Sequence, residues 1–376
     1  MADPATSPPP TCVSRVTTLP PDTIEVEVKR VKDGDTYVIE KNFCAERNYK
    51  LAGSFIHSSN LDEFGEKKWS IWNALKKEGY IYDGKFVTTK FPYDNESAFN
   101  LSANLTPEEK HRLFEILQKK MECVVRSRGL NTTELSHFGR AEEDGAKTAT
   151  KFLKDLILGK KVRISKPAGQ DGYQRVLADE IFIPTPENDG TYVLANVSMI
   201  QRGFAHLFIF EASQEPIRVS LLPCEKEAHQ NRRGIWDTPA FQGAFHVTSF
   251  HHAKLPYYSY FSEYFRFANI SGATLNLRDY VVENCATGKR IPLPDVEVPA
   301  GVQVQALSKT DRVNLTYTGK PIIISLDAGE DFWSDAGAMV VLRREADGNI
   351  EATESSSAAF QCTPGPWTIA QTPDKK

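Results

Sequence analysis

The chain has 376 residues, of which 40% are apolar and 25% are charged, and this length exceeds what one ordinary core accommodates, so we expect two domains. A formal net charge of −4 excludes a globally basic protein, so any nucleic-acid-binding surface must be local. No apolar run approaches the roughly 20 residues that span a bilayer. The six cysteines lack the spacing of a zinc site, and we expect reduced thiols in an intracellular protein.

The N-terminal segment begins with a stretch rich in Pro, Ala and Ser that lacks the basic and apolar regions of a secretory signal. We predict a disordered leader over 1–22. Alternating apolar and polar residues then predict strands over 24–28 and 36–39, joined by a turn at 32–35. A third strand is predicted over 49–56.

Residues 58–136 have a different pattern. Thr106, Pro107 and Glu109 form the start signal of a helix, and its apolar side continues as far as Gly129. We therefore predict an insertion over about 58–136 with a small helical core of its own.

The following hundred residues alternate between helix and strand patterns. A helix is predicted over 141–158, strands over 161–165 and 175–184, and helices near 194–201 and 221–233. Together with the first strands, this order fits an OB-type five-stranded barrel with packed helices, spanning 23–238.

The pattern changes after Pro239. Residues 244–351 are rich in Val, Tyr, Phe and Ile, with turn residues at short intervals, which predicts an immunoglobulin-like β-sandwich. The Ser/Thr/Pro-rich residues 352–376 are predicted to form a flexible tail.

Five separated segments resemble, in the same order, segments of the staphylococcal nuclease (thermonuclease) family. They are Val31-Lys32-Asp33-Gly34-Asp35-Thr36, Phe138-Gly139-Arg140, Asp171-Gly172-Tyr173-Gln174-Arg175, the run from Met199 to Ala205, and Arg233-Gly234-Ile235-Trp236. Any one of them is weak evidence, but five in order are specific. The resemblance implies an OB-type barrel that hydrolyses DNA and RNA with calcium.

The resemblance also implies roles for individual residues. Asp35 matches the first calcium-binding carboxylate, and Arg175 matches the arginine that supports the transition state. The family's third strand reads Arg-Leu-x-Gly-Ile-Asp-x-Pro-Glu. Placed on 50–58, it puts Lys50 at the other active-site arginine, Phe55 at the second calcium carboxylate and Ser58 at the water-orienting glutamate. We therefore predict Asp35, Lys50 and Arg175 as the catalytic set, with Asp35 as metal ligand and calcium binding weakened.

Positive and aromatic side chains near these segments are candidates for binding DNA or RNA. They are Lys32, Tyr173, Lys160, Lys161 and Arg163. The alternative for the lysine-rich run is a solvated charged face.

The second domain resembles the lamin-tail family. The resemblance lies in 263–269, 275–280, 298–301 and 332–337. It implies a binding role, because no catalytic constellation accompanies it.

Three hypotheses remain open. The favoured one is a binding or scaffold pseudonuclease that holds nucleic acid through a degenerate site. The second is a divergent calcium-dependent nuclease with carboxylates borrowed from the insertion, such as Asp62, Glu63 or Glu66. The third is a scaffold that binds a protein partner or itself through the insertion and the sandwich.

Overall fold

The computed structural model describes residues 12–53, 58–82, 85–86, 95–135, 142–187, 189–251, 263–317, 320–328, 332–334, 337–356, 360 and 362–365. It is a mixed α/β structure in which a curled sheet with several helices is followed by two four-stranded sheets. The first part is consistent with the predicted OB-like fold. None of the described helices is long and apolar enough to cross a membrane.

The first part of the chain contains most of the helices. Its strands are β1 (Arg15–Val16), β2 (Ile24–Val31), β3 (Thr36–Ile39), β4 (Ala52–Gly53), β5 (Ile81–Tyr82), β6 (Lys85–Phe86), β7 (Met121–Ser127), β8 (Gly129–Thr132), β9 (Lys161–Ile164), β10 (Val176–Ala178), β11 (Ile181–Pro184), β12 (Tyr192–Leu194) and β13 (Ala205–Phe208). Its α-helices are α1 (Lys41–Glu46), α2 (Lys68–Lys77), α3 (Pro107–Lys119), α4 (Ala146–Ile157), α5 (Ala195–Gln201) and α6 (Glu215–Gln230).

The main sheet has the strand order β1-β12-β11-β9-β2-β3-β7-β10, with β4 paired to the start of β7. Strands β2 and β3 form the predicted hairpin. Strand β7 is antiparallel to β3 and parallel to β10, so it lies inside the sheet rather than at its edge. Helices α4 and α5 confirm two of the predicted helices.

The third long strand of the sheet is β7. Within the strand predicted over 49–56, the structure has the short strand β4 (Ala52–Gly53), and residues 54–56 lie outside the described residues. Helix α3 ends at Lys119 instead of continuing to Gly129, and the residues that follow form β7. Cys123 and Val125 face the main core, while Val124 packs against Val38 and Ala52. Cys123, Val124 and Val125 form an apolar run without alternation, and such a run does not distinguish a buried strand from a buried helix. The predicted insertion therefore supplies, at its end, a central strand of the sheet.

The six cysteines form three disulfides, so the expectation of reduced thiols was wrong. The pairs are Cys12–Cys224, Cys44–Cys123 and Cys285–Cys362. Their sequence separations of 212, 79 and 77 residues gave no local signal of pairing. Residues 12–16 were predicted to belong to the disordered leader, but the first disulfide and the pairing of β1 with β12 hold them in the fold.

The second part of the chain consists of strands. They are β14 (Phe245–His251), β15 (Tyr264–Asn269), β16 (Leu275–Asn276), β17 (Tyr280–Asn284), β18 (Arg290–Pro292), β19 (Glu297–Val298), β20 (Gln303–Leu307), β21 (Ile322–Ser325), β22 (Met339–Arg344) and β23 (Ile350–Ser355). One sheet has the order β14-β15-β20-β21 and the other β18-β17-β22-β23. Strand β23 and Cys362 occupy part of the predicted flexible tail.

The two parts are in direct backbone contact. The Ile209 amide donates to the Gly301 carbonyl at 2.8 Å, and the Gln303 amide donates to the Ile209 carbonyl at 2.8 Å. A further contact is buried: Trp236 and Phe241 share an apolar cluster with Ala268 and Ile270. The strand-rich part is therefore packed against the helical part.

We expect the disulfides to contribute measurably to stability. Replacing both Cys44 and Cys123 with Ser should lower the free energy of unfolding by about 2–4 kcal/mol, because the unfolded chain loses the cross-link that closes a long loop. Urea unfolding measures the change. Alkylation of the unfolded, unreduced wild type is the control, and labelling of the cysteines under that condition would contradict the pairing.

Candidate active site

The turn between β2 and β3 brings two carboxylates together. The Lys32 amide donates to the Thr36 carbonyl at 2.8 Å and closes the turn, and the Asp35 amide donates to Asp33 Oδ1 at 3.1 Å. Asp35 is only 2% exposed, and its Oδ1 accepts from Thr36 Oγ1 at 2.7 Å. The turn thus holds the carboxylates of Asp33 and Asp35 close together, with Asp35 buried.

Gly34 is required by a close approach between this turn and β8. A Cβ atom at position 34 would lie 2.6 Å from Cγ2 of Thr132, closer than two carbon atoms can pack. The absence of a side chain therefore allows the backbone of β8 to lie beside Asp35. The Thr132 amide points toward Asp35 Oδ2 at 3.4 Å.

Arg126 is the cation that faces the acidic turn. It lies opposite Thr36 in the pairing of β7 with β3, and its Nη1 donates to Asp35 Oδ1 at 2.8 Å. Its Nη2 donates to Asn131 Oδ1 at 3.0 Å. The side chain is 13% exposed. One guanidinium thus joins the turn, β7 and β8.

The segment after β8 adds a further carboxylate. The Glu134 amide donates to Glu143 Oε2 at 2.8 Å, and the Glu143 amide donates to the Glu134 carbonyl at 3.0 Å. Glu134 keeps an exposed surface, but the charges of Asp35 and Asp33 act on its carboxyl. The two reciprocal bonds hold the backbone that carries Glu134.

Two acidic groups of this cluster, Asp33 and Glu134, have raised pKa values. Burial, followed by the charge of Asp35, raises the pKa of Asp33 to about 7. Partial burial of its carboxyl, although the residue keeps an exposed surface, and then the charges of Asp35 and Asp33 raise the pKa of Glu134 to about 8. Burial alone would lower the pKa of Arg126, but the surrounding acids, above all Asp35, raise it, so the guanidinium stays charged.

Arg175 and Tyr173 lie on a loop that Asp171 organises. Asp171 Oδ1 accepts the amides of Tyr173 and Arg175, each at 2.9 Å, and its Oδ2 accepts Arg175 Nε at 2.7 Å. The guanidinium lies 5.3 Å from the Tyr173 ring, which is 66% exposed. The negative charge of Asp171 also helps to raise the pKa of Arg126, so this loop interacts electrostatically with the acidic cluster.

The oxygen atoms around Arg126 are of the type that a hard divalent cation prefers. Asp33 and Asp35 supply carboxylates, and Asn131 supplies a neutral amide oxygen. Asp35 Oδ2 has only the long 3.4 Å contact with the Thr132 amide among its hydrogen bonds to described residues. Within the described ranges, no three His, Cys, Asp or Glu side chains converge as a ready-made metal site. The donor set fits a cation in chemical type, with two carboxylates and one amide.

The structure places the backbone of Lys50 beside the loop of Arg175, and a catalytic role for Lys50 stays a prediction. Its backbone amide donates to Gln170 Oε1 at 2.9 Å, and its carbonyl accepts from Gln170 Nε2 at 2.7 Å, so it borders the loop of Arg175. The guanidinium on Asp35 belongs to Arg126. Ser58 begins a 3₁₀ segment of the insertion, and Phe55 and the Phe138-Gly139-Arg140 motif lie outside the described residues.

The basic residues predicted to bind nucleic acid have partners within the fold. Lys32 Nζ lies 2.9 Å from Glu122 Oε2, and Lys160 Nζ donates to the carbonyls of Asp155 and Leu156 at the end of α4. Lys161 and Arg163 lie on β9, opposite Glu27 and Glu25 of β2. Their charges are therefore partly offset, and their role in binding nucleic acid remains a prediction.

Three residues of the cluster, Arg126, Asn131 and Glu134, were missed. The run Arg126-Ser127-Arg128-Gly129-Leu130-Asn131-Thr132-Thr133-Glu134 matches the third-strand pattern of the nuclease family at arginine, glycine and glutamate, with Asn131 in the place of the aspartate. It also lies immediately before Phe138-Gly139-Arg140, where the family order requires it. The apolar side of the predicted helix concealed this signal.

Comparison with known proteins places the nuclease homology in a segment that includes this run. Residues 124–238 match the family model of the staphylococcal nuclease homologue. The chain is 30% identical over 121 residues to a protein named "Probable endonuclease LCL3" from Komagataella phaffii, a match that covers 31% of this chain and 50% of that protein.

Proteins of the same name from Aspergillus flavus and Aspergillus oryzae are also 30% identical, over 123 residues, covering 30% of this chain and 42% of each relative. The chain thus spans half or less of the length of these relatives. Residues 124–238 are a region of staphylococcal nuclease homology, and β2 and β3 precede the matched segment.

The close approach at Gly34 predicts a destabilising substitution. Gly34→Ala should lower the free energy of unfolding by about 1–3 kcal/mol, because the added methyl group collides with Thr132. Gly172→Ala is the matched control, since a Cβ there meets no atom within 4 Å. Chemical unfolding of both variants measures the difference, and equal stabilities would contradict the tight contact.

The raised pKa values predict a pH-dependent stability. In chelator, the free energy of unfolding should fall as pH rises from about 4 to 8, because folded Asp33 and Glu134 retain protons that the unfolded chain releases. Buried Glu180 and Glu225, whose pKa values burial raises to about 8, contribute in the same direction. The double variant Asp33→Asn/Glu134→Gln should show a shallower fall in urea unfolding at a series of pH values. A slope equal to that of the wild type would contradict the prediction.

Proposed function

We propose that this protein is a divalent-cation-dependent phosphodiesterase that cleaves nucleic acid at the site around Asp35, Arg126 and Glu134. The observation that carries the proposal is the position of the Arg126 guanidinium, 2.8 Å from Asp35 and 3.0 Å from Asn131, within a segment of nuclease homology. The name of the curated relatives, an endonuclease, supports the same class of reaction.

The acidic turn would hold the cation. Asp33, Asp35 and Asn131 are the oxygen donors, and calcium is the ion that the family resemblance implies. When bound, the cation supplies positive charge against the phosphate. Because Asn131 is neutral where the family has a carboxylate, we expect weaker calcium affinity than a set of three carboxylates would give.

The two arginines would bind the phosphate oxygens. Attack on a phosphodiester builds negative charge on the equatorial oxygens, and fixed guanidinium groups offset it. Arg126 is held by Asp35 and Asn131, so its position is set before substrate binds. Arg175 is held by Asp171 through Nε, and its terminal nitrogens are the donors suited to a phosphate.

Glu134 is the candidate general base for the attacking water. With its pKa at about 8, it is mostly protonated at neutral pH in the absence of a cation. Positive charge beside it would lower that pKa and favour the carboxylate that accepts a proton from water. Lys50, predicted as a catalytic residue, has its place taken by Arg126 in this proposal.

The second candidate function is a pseudonuclease that binds nucleic acid without cutting it. Asn131 in the place of a carboxylate favours this alternative, since loss of one charge weakens cation binding. Placing the family's third strand on 50–58 favours this alternative more strongly, because that placement puts Lys50, Phe55 and Ser58 at the catalytic positions. With Arg126 and Glu134 beside Asp35, the hydrolase is better supported.

The strand-rich part, residues 244–351, is proposed as a lamin-tail-like sandwich that places the nuclease part on its substrate or partner. Its two four-stranded sheets support this reading. Self-association through it or through the insertion remains a prediction that molecular mass in solution tests. The three disulfides support an oxidising compartment rather than the intracellular location expected from reduced thiols.

Cleavage assays test the proposed hydrolase. Purified protein should cut labelled DNA or RNA with calcium or another divalent cation and not with chelator. Asp35→Ala and Arg126→Lys should each lower kcat by about 10²–10³-fold, because each removes charge or geometry that stabilises the transition state. Single- and double-stranded substrates of both kinds identify the preferred one.

Arg343→Lys is the matched control for Arg126→Lys. Arg343 is also buried and bonds to a carboxylate, Glu283, at 2.9 Å, but it lies in the strand-rich part. The Arg343→Lys substitution should lower the free energy of unfolding without changing the activity of the folded protein. Wild-type protein that binds nucleic acid but cuts none with any cation would favour the pseudonuclease.

A further inference from the structure

A buried histidine pair joins the strand-rich part to the site. His206 lies on β13, opposite Asn131 in the pairing of β13 with β8, and is fully buried. His246 lies on β14, in the strand-rich part, and is 7% exposed. His206 Nε2 and His246 Nδ1 are 3.0 Å apart. A polar contact thus crosses the boundary between the two parts.

The hydrogen-bond pattern fixes which nitrogen carries which proton. His206 Nδ1 lies 2.7 Å from the Leu207 carbonyl and must donate to it. Burial, then the charge of His246, lowers the pKa of His206 to about 3, so His206 is neutral and its Nε2 accepts. His246 Nδ1 therefore donates to His206, and His246 Nε2 is the ring nitrogen left to face other groups.

Glu143 is the anion that faces His246. Its Oε1 lies 3.8 Å from His246 Nε2, and its Oε2 accepts the Glu134 amide at 2.8 Å. The ring of Phe241 packs against His246 at 4.5 Å between centroids, and His246 itself is buried. The carboxylate of Glu143 is thus held on one side by His246 and holds the backbone of Glu134 on the other.

We infer that His246 of the strand-rich part is a positioning residue for the site, acting on Glu134 through Glu143. It touches neither substrate nor cation. The His246 ring faces the Glu143 carboxylate, and the bonds between Glu143 and Glu134 pass this placement on to the backbone that carries the Glu134 side chain. The strand-rich part therefore contributes to the geometry of the nuclease part, and this inference rests on the proposed function for its catalytic consequence.

The test compares three variants of the full chain. His246→Gln and Glu143→Gln alter the contact between these two side chains, whereas Tyr317→Phe removes a different contact between the same two parts, from the Tyr317 hydroxyl to the Glu211 carbonyl at 3.1 Å. We expect His246→Gln and Glu143→Gln to lower kcat about 10-fold or more with KM within about twofold, as the loss of a supporting partner does. Tyr317→Phe should leave both constants unchanged.

Amide hydrogen exchange gives a readout that does not depend on activity. Exchange at the Glu134 amide should accelerate about 10-fold in His246→Gln and not in Tyr317→Phe, because the acceptor of that amide becomes mobile. Wild-type protein that cuts no substrate would overturn the proposed function while the exchange data still decide the positioning role. Unchanged exchange and kcat in His246→Gln, or equal changes in Tyr317→Phe, would overturn the inference.

Discussion

The ion pair between Arg126 and Asp35 is the interaction on which the site depends. Both side chains are nearly excluded from solvent, and an unpaired charge at either position would be costly to bury. The pair fixes β7 against the β2–β3 turn, and Arg126 then reaches Asn131 on β8. Backbone pairing adds to this, since the Ser127 amide donates to the Asp35 carbonyl at 2.9 Å.

The acids around this pair outnumber the guanidinium that neutralises them. Asp33 and Glu134 remain near Asp35 with raised pKa values, an arrangement that lowers stability at neutral pH. Strain of this electrostatic kind is common where a protein must accept a cation, because the bound ion relieves the repulsion. The lower stability at neutral pH is thus consistent with a site for a positively charged ligand.

The strand-rich part belongs to the same packed unit as the site. Backbone bonds at Ile209, the apolar cluster around Trp236 and the histidine pair all cross the boundary. The end of the segment of nuclease homology, from β13 to Trp236, is accordingly covered on one side by the strand-rich part. A change in the packing of the strand-rich part would therefore alter the surroundings of Glu134 through His246 and Glu143.

The sequence by itself determined the elements whose signals are local. The Asp33-Gly34-Asp35 turn, the loop of Arg175, the capping box of α3 and the helices α4 and α5 follow from residues close together in the chain. Tertiary structure decided the identity of the third strand, because the centre of β7 (residues 123–125) is apolar on both faces and the pairing of β7 with β3 joins residues about ninety positions apart. It also decided the disulfides and the contact of His246 with Glu143, since contacts between distant residues leave no periodic trace in a sequence.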